Sequence, residues 1–120
     1  MKEGLGWFFQ LFTGLFLVAL LGVHMLGMHM DTLLPRFGMG YKDPIVFQEV
    51  LKRGHAPLFV AFYVVFLGLA LYHGFYGLRA VLMEVWASSR TLSSINMLVW
   101  SLGLFLFFLG TAVSVGFFLV

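Results

Sequence analysis

Four histidines, at positions 24, 29, 55 and 73, carry most of the chemistry that this 120-residue sequence can offer. There is no Cys, hence no disulfide, no thiolate metal site and no thiol nucleophile. With no second carboxylate in the apolar stretches, a zinc or di-iron site is poorly supplied. An imidazole in such surroundings has three uses: a hydrogen bond to a neighbouring helix, a proton relay, or ligation of haem iron, which needs only one or two imidazoles. An unpaired titratable group in hydrocarbon is expensive, so each histidine within an apolar span is a functional candidate by default.

The elements that hold these histidines are set by composition. The chain is 62% hydrophobic and 10% charged, with 15 Phe and a mean hydropathy of +1.02. A soluble domain is about half apolar and about a quarter charged, and a chain this small cannot hide such an excess in its own core. The surplus must face lipid, which makes a soluble enzyme or a disordered regulator improbable. A net charge of +2 is too small for a nucleic-acid footprint.

Gaps in the charge pattern mark three spans. No Asp, Glu, Lys or Arg falls between Glu3 and Asp31, from Gly54 to Leu78, or from Thr91 to Val120. Each gap exceeds the ~20 residues that a helix needs to cross ~30 Å of hydrocarbon. The expected helices cover 5–30, 57–84 and 93–119, in a single domain over 1–120. A signal peptide would have an apolar core of only about 7–15 residues and then a small-residue cleavage site, whereas the first stretch runs on through Gly22-Val23-His24-Met25. Pro35 and the Gly38-Met39-Gly40 run stop the first helix. Residues 44–53 mix Ile45, Val46, Val50 and Leu51 with Gln48, Glu49 and Lys52, as a short helix lying on the membrane surface would, with Pro44 at its first turn. Gly54 ends it, and Pro57 opens the second span. Ala87 to Leu92 form a short polar connection. Arg36, Lys42, Lys52 and Arg53 on one side oppose Lys2, Arg79 and Arg90 on the other, which leaves the orientation open on charge alone. Gly68, Gly74 and Gly77, and Gly103, Gly110 and Ser114, mark packing faces on the second and third spans. Three helices enclose little, so a partner bundle is expected.

Position separates the histidines. His29 and His55 lie near helix ends, where the interface can solvate them. His73 is ~24 Å along the second span from Pro57, and His24 is ~9 Å inside the Met30 end of the first. Beside His73 its own helix presents Phe66, Leu69, Ala70, Tyr76, Gly77 and Ala80, a small-residue surface against which a porphyrin could lie. Arg79, two turns farther on, either pairs with a haem propionate or reaches lipid phosphate. His24 has Leu20, Leu21, Gly27 and Met28 on its face, and Met ligation by Met25, Met28 or Met30 is the weaker option. Because consecutive spans are antiparallel, His24 and His73 differ in depth by ~15 Å and cannot share one iron.

The run Tyr72-His73-Gly74-Phe75-Tyr76-Gly77-Leu78-Arg79-Ala80-Val81-Leu82-Met83-Glu84 resembles the second transmembrane helix of the succinate dehydrogenase and fumarate reductase membrane anchor subunits. There a His is followed by a Gly four positions later and an acidic residue eleven positions later, as His73, Gly77 and Glu84 are here. The resemblance implies an all-α membrane protein whose three helices pair with a second anchor subunit. It further implies docking of an iron–sulfur subunit and a flavoprotein subunit, b-type haem held by histidine, and electron exchange with quinone. His73 maps to the haem ligand in the half nearer the iron–sulfur subunit, with the amino terminus on that side. His24 is not expected in the single-haem members and suits the two-haem members, in which a first-helix histidine holds the outer haem, so the resemblance implies one haem or two, with two favoured. The family's acidic–Tyr pair at the quinone site reads Glu84-Val85 here, so Glu84 alone carries over; Arg79, Ser88, Ser89 and Arg90 are further groups able to deliver protons. Bis-imidazole ligation, shared with the partner subunit, would suit electron transfer and leave no open site for oxygen. Succinate/fumarate chemistry would then occur on another subunit, with this chain in a bacterial or archaeal cytoplasmic membrane, or in the mitochondrial inner membrane. The rivals are a small transport or assembly protein whose buried histidines relay protons or brace helices, and a b-type cytochrome unrelated to succinate.

Overall fold

The computed structural model describes residues 2–39, 43, 45–86 and 89–120. Pro44, Gly40, Lys42, Ala87 and Ser88, which figure in the expectations above, lie outside the described residues, as does the Ser89 side chain. Helix α1 spans Lys2–Leu33, α2 spans Phe47–Gly54, α3 spans Pro57–Val85 and α4 spans Ser89–Leu119, and a 3₁₀ turn at Leu34–Phe37 follows α1. α1, α3 and α4 are each long and apolar enough to cross a bilayer. The chain is an all-α integral membrane protein.

The helix ends follow local chemistry. Pro35 sits in the first turn of the 3₁₀ segment, and Gly38 closes it in the left-handed region at φ 73°, its N–H donating to the Pro35 carbonyl at 3.1 Å. Glycine adopts that φ without a Cβ clash. Ala56 is extended, as a residue before proline prefers, and Pro57 takes the first helical position of α3. α1 overshoots the expected 5–30 at both ends, and α4 starts four residues before the expected 93. Absence of charge marks the part that lies in hydrocarbon, whereas the helix continues until a proline, a glycine or a cap interrupts it. Ser94, in the early turns of α4, donates its hydroxyl to the Arg90 carbonyl at 3.3 Å.

Packing is by glycine. On the α3–α4 seam, a Cβ added at Gly110 would lie 2.5 Å from Cδ2 of Leu67, and one at Gly68 would lie 3.2 Å from the Phe107 ring. Gly103 receives the Phe75 ring in the same way. In lipid, where hydrophobic exclusion between helices is absent, this close approach is what holds them. Gly74 has nothing within 4 Å and so does not join that seam. α2 packs against both α3 and α4 at the end where α1 and α3 connect, with Gly54 against Phe117.

Among the described residues α1 and α4 make no close approach; both pack on α3. The three spans therefore stand in a row, with overall extents of 59 × 33 × 23 Å. A row encloses no core. Only Val99 and Thr13 are buried among the described residues, at 3% and 5% exposure. Large side chains such as Leu15, Phe105 and Phe108 point outward.

Replacing Gly110 by Leu should drive α3 and α4 apart and cost about 1–3 kcal/mol, the usual range for overpacking. Gly22→Leu, a site with open space around it, should be neutral in the detergent-solubilised chain. SDS-titration midpoints of the two variants check the difference.

Candidate functional site

The α1–α3 seam holds both deep histidines. On α1 the inward-facing positions include Gln10, Thr13, Gly14 and His24; on α3 they include Phe66, His73 and Gly77. The spacing on α1 is the three- and four-residue recurrence of one helix face.

His73 is braced by helix α1. Its Nδ1 lies 3.1 Å from the Gln10 carbonyl oxygen and 3.4 Å from Oγ1 of Thr13. A carbonyl can only accept, so this bond puts the proton on Nδ1 and leaves the lone pair on Nε2. The Thr13 hydroxyl donates to the Phe9 carbonyl at 2.8 Å and contacts the Gln10 carbonyl at 3.1 Å, which fixes its own rotamer. In return, the Gln10 side-chain amide donates to the His73 carbonyl at 3.1 Å. Gly14 makes room for the ring: a Cβ there would lie 3.0 Å from Cε1 of His73. No described residue hydrogen-bonds Nε2.

The small-residue surface expected beside His73 is partly taken by α1. Gln10 occupies the space over Gly77, where a Cβ would lie 3.2 Å from Nε2 of Gln10, and the Tyr76 hydroxyl fills the space over Gly6. The reason is that glycine on either helix invites backbone approach, and the neighbouring span uses it first. Open surface next to His73 remains at Gly74. Gln10 Oε1 is buried and has no partner among the described residues.

His24 sits nearer the connected end of the seam. Its ring stacks on Phe66 at a centroid distance of 5.8 Å and meets Tyr63 edge-on at 6.3 Å. It lines a half-open cleft of about 290 Å³ together with Met28, Arg53, Phe59, Phe62 and Tyr63. Thr13, beside His73, and His24 are eleven residues apart on α1, and Phe66 and His73 are seven apart on α3, so the two imidazoles differ in depth by roughly 10–16 Å. They share one seam at two levels.

Arg79 turns the other way. Its Nε hydrogen-bonds Oδ1 of Asn96 on α4, and its guanidinium lies 5.9 Å from the Tyr76 ring centroid. Arg79 and His73 thus face different neighbours. Glu84 is exposed near the end of α3, and His29 and His55 are exposed as well. His55 follows α2, its backbone N–H donating to the Leu51 carbonyl at 2.9 Å.

Gln10, Thr13, Arg53 and Asn96 were not singled out in the sequence. The first two carried a usable signal, since amide and hydroxyl side chains three residues apart in an apolar span must find partners inside the protein. Arg53 carried none, because it reads as one of several surface cations.

No protein-family model matches the chain, and no solved structure matches it. Two curated relatives do, both named succinate dehydrogenase hydrophobic membrane anchor subunit. The protein from Archaeoglobus fulgidus is 32% identical over 108 residues, which cover 90% of this chain and 85% of the relative. The protein from Thermoplasma acidophilum is 35% identical over 98 residues, covering 80% and 72%. With three apolar spans in the fold and identity sustained over most of both proteins, the chain belongs to the family of succinate dehydrogenase hydrophobic membrane anchor subunits.

Proposed function

We propose that this chain anchors a succinate:quinone oxidoreductase in the membrane and holds b-type haem through His73 at the inner level and His24 at the outer level. A second anchor subunit would supply the remaining ligand to each haem. An iron–sulfur subunit and a flavoprotein subunit dock on the side of the amino terminus, and the membrane is a bacterial or archaeal cytoplasmic one. His73 near the amino-terminal end of the seam, and His24 near the opposite end, suit that order of haems.

One observation carries the reading. The Nδ1 hydrogen bond from His73 to the Gln10 carbonyl leaves the lone pair on Nε2, to which no described residue donates. Histidines that ligate metals almost always donate their other ring N–H to a carbonyl or carboxylate, which sets the tautomer and raises ligand basicity. Here the donor set fits an axial ligand, and the glycine at position 14 accommodates the ring that would supply it.

When bound, b-type haem supplies one-electron redox chemistry whose potential follows the axial ligands, burial and hydrogen bonding. Gln10 and Thr13 orient the His73 ring and hold its proton away from Nε2. Tyr63 and Phe66 fix the plane of His24 and exclude water from its flank. Arg79, held by Asn96, places a fixed positive charge toward the end of α3, where an anionic propionate or a quinone oxygen would be stabilised. Glu84 is the carboxylate best placed on this chain to pass protons to quinone at that interface. The succinate chemistry belongs to the flavoprotein.

A reduced-minus-oxidised spectrum of the purified complex, with haem quantified per copy of this chain, should give two b-type haems. His73→Ala should remove one, and His24→Ala the other; full haem content after His24→Ala would leave a single-haem anchor. A quieter change should reach the first haem by steric means. Gly14→Val places side-chain atoms where the His73 ring lies, and should weaken retention of that haem by about 10–100-fold, the usual cost of disturbing an orienting neighbour. Haem titration of the apo-complex reads it, with the His24-dependent haem unchanged.

A further inference from the structure

Two basic residues end α2, and they point in different directions. Lys52 pairs with Glu49 at 3.0 Å on the exposed side of the helix. Arg53, one residue on, is half-buried and turns onto α1, where Nη1 lies 3.9 Å from Sδ of Met28. Met28 is one helical turn from His24, ~6 Å along the axis. Both residues line the cleft that holds the His24 ring, and its other walls include Phe59, Phe62 and Tyr63 together with aliphatic Val23 and Leu58. The cleft therefore offers an imidazole, aromatic walls and, at the end nearest the membrane surface, a planar cation.

Taking as given the reading that His24 holds the outer haem, we infer that Arg53 is the partner of that haem's propionates. The chemistry of the two ends matches. A haem ligated through its iron by His24 presents a flat apolar ring, which the phenyl and phenol walls would cover, and two carboxylates at one edge. Those carboxylates need to reach polar surroundings, and α2 lies at that boundary. A guanidinium presents five N–H donors in a planar fork that engages a carboxylate bidentately. The Arg53 side chain crosses from the surface helix to the seam, so that α2 becomes part of the haem site as well as a surface element. The Arg79 guanidinium, engaged with Asn96 on the α4 side, serves a different end of the protein.

The test uses the whole purified complex with Arg53→Leu and Arg53→Lys, reading haem per chain and the midpoint potential of each haem. Loss of a cation beside a propionate leaves the oxidised state relatively more favoured. Arg53→Leu should therefore shift the His24-dependent haem to lower potential, or release that haem, while the His73-dependent haem stays unchanged. Arg53→Lys, which keeps the charge without the fork, should hold the potential near that of the unaltered complex. Unchanged potentials in Arg53→Leu with both haems present would overturn the inference. Equal effects of Leu and Lys, or a shift confined to the His73-dependent haem, would overturn it too. If Arg53→Leu fails to assemble, Arg53→Gln replaces it under the same criteria. An unaltered complex with only a His73-dependent haem would refute this inference and leave the His73 assignment standing, whereas an unaltered complex with no haem would refute the reading on which it rests.

Discussion

A polar atom within the hydrocarbon of a bilayer has no water to return to, and its partner must come from the protein. That constraint organises the α1–α3 seam. Gln10, Thr13 and His73 meet because each answers another's hydrogen-bonding requirement, through side chain or backbone. Interhelical hydrogen bonds of this kind contribute only about 0.6 kcal/mol on average, so their weight lies in direction. They fix the rotation of α3 about its axis relative to α1, and so the side on which the imidazole emerges.

The second constraint is architectural. A row of three helices has two broad faces and no interior, and it leaves apolar side chains on both. Any planar cofactor held by such a row is necessarily covered on its far side by something else. The cleft around His24 is half-open, and the surface at Gly74 is open as well. Close packing by glycine serves the same end: with Gly68, Gly103 and Gly110 drawing α4 onto α3, the opposite side of α3 is left to α1 and its histidine seam.

Much of this was legible in the sequence. The three spans follow from charge gaps because ionised side chains are excluded from hydrocarbon, and the turn at Pro35 and Gly38 follows from backbone chemistry. The depth difference between His24 and His73 follows from helix rise alone. What a single sequence could not give is rotation. Whether Gly77 faces a cofactor or another helix depends on the azimuth of α3, which is set by Tyr76 and Gln10 across the seam. Likewise, Arg53 and Arg79 are both interfacial cations on paper, and only the packing of α2 on the bundle and of Asn96 against α3 gives each a different neighbour. Gly74 shows the converse, a small residue with nothing among the described residues within 4 Å of where its Cβ would be.

Because α1 and α4 make no close approach among the described residues, the described groups around the two histidines lie on the hairpin of α1, α2 and α3, and α4 backs it. During synthesis that hairpin leaves the ribosome first. The contacts of His73 with α1 can therefore form while α4 is still being translated, so this seam is able to close on the nascent polypeptide before α4 enters the bilayer.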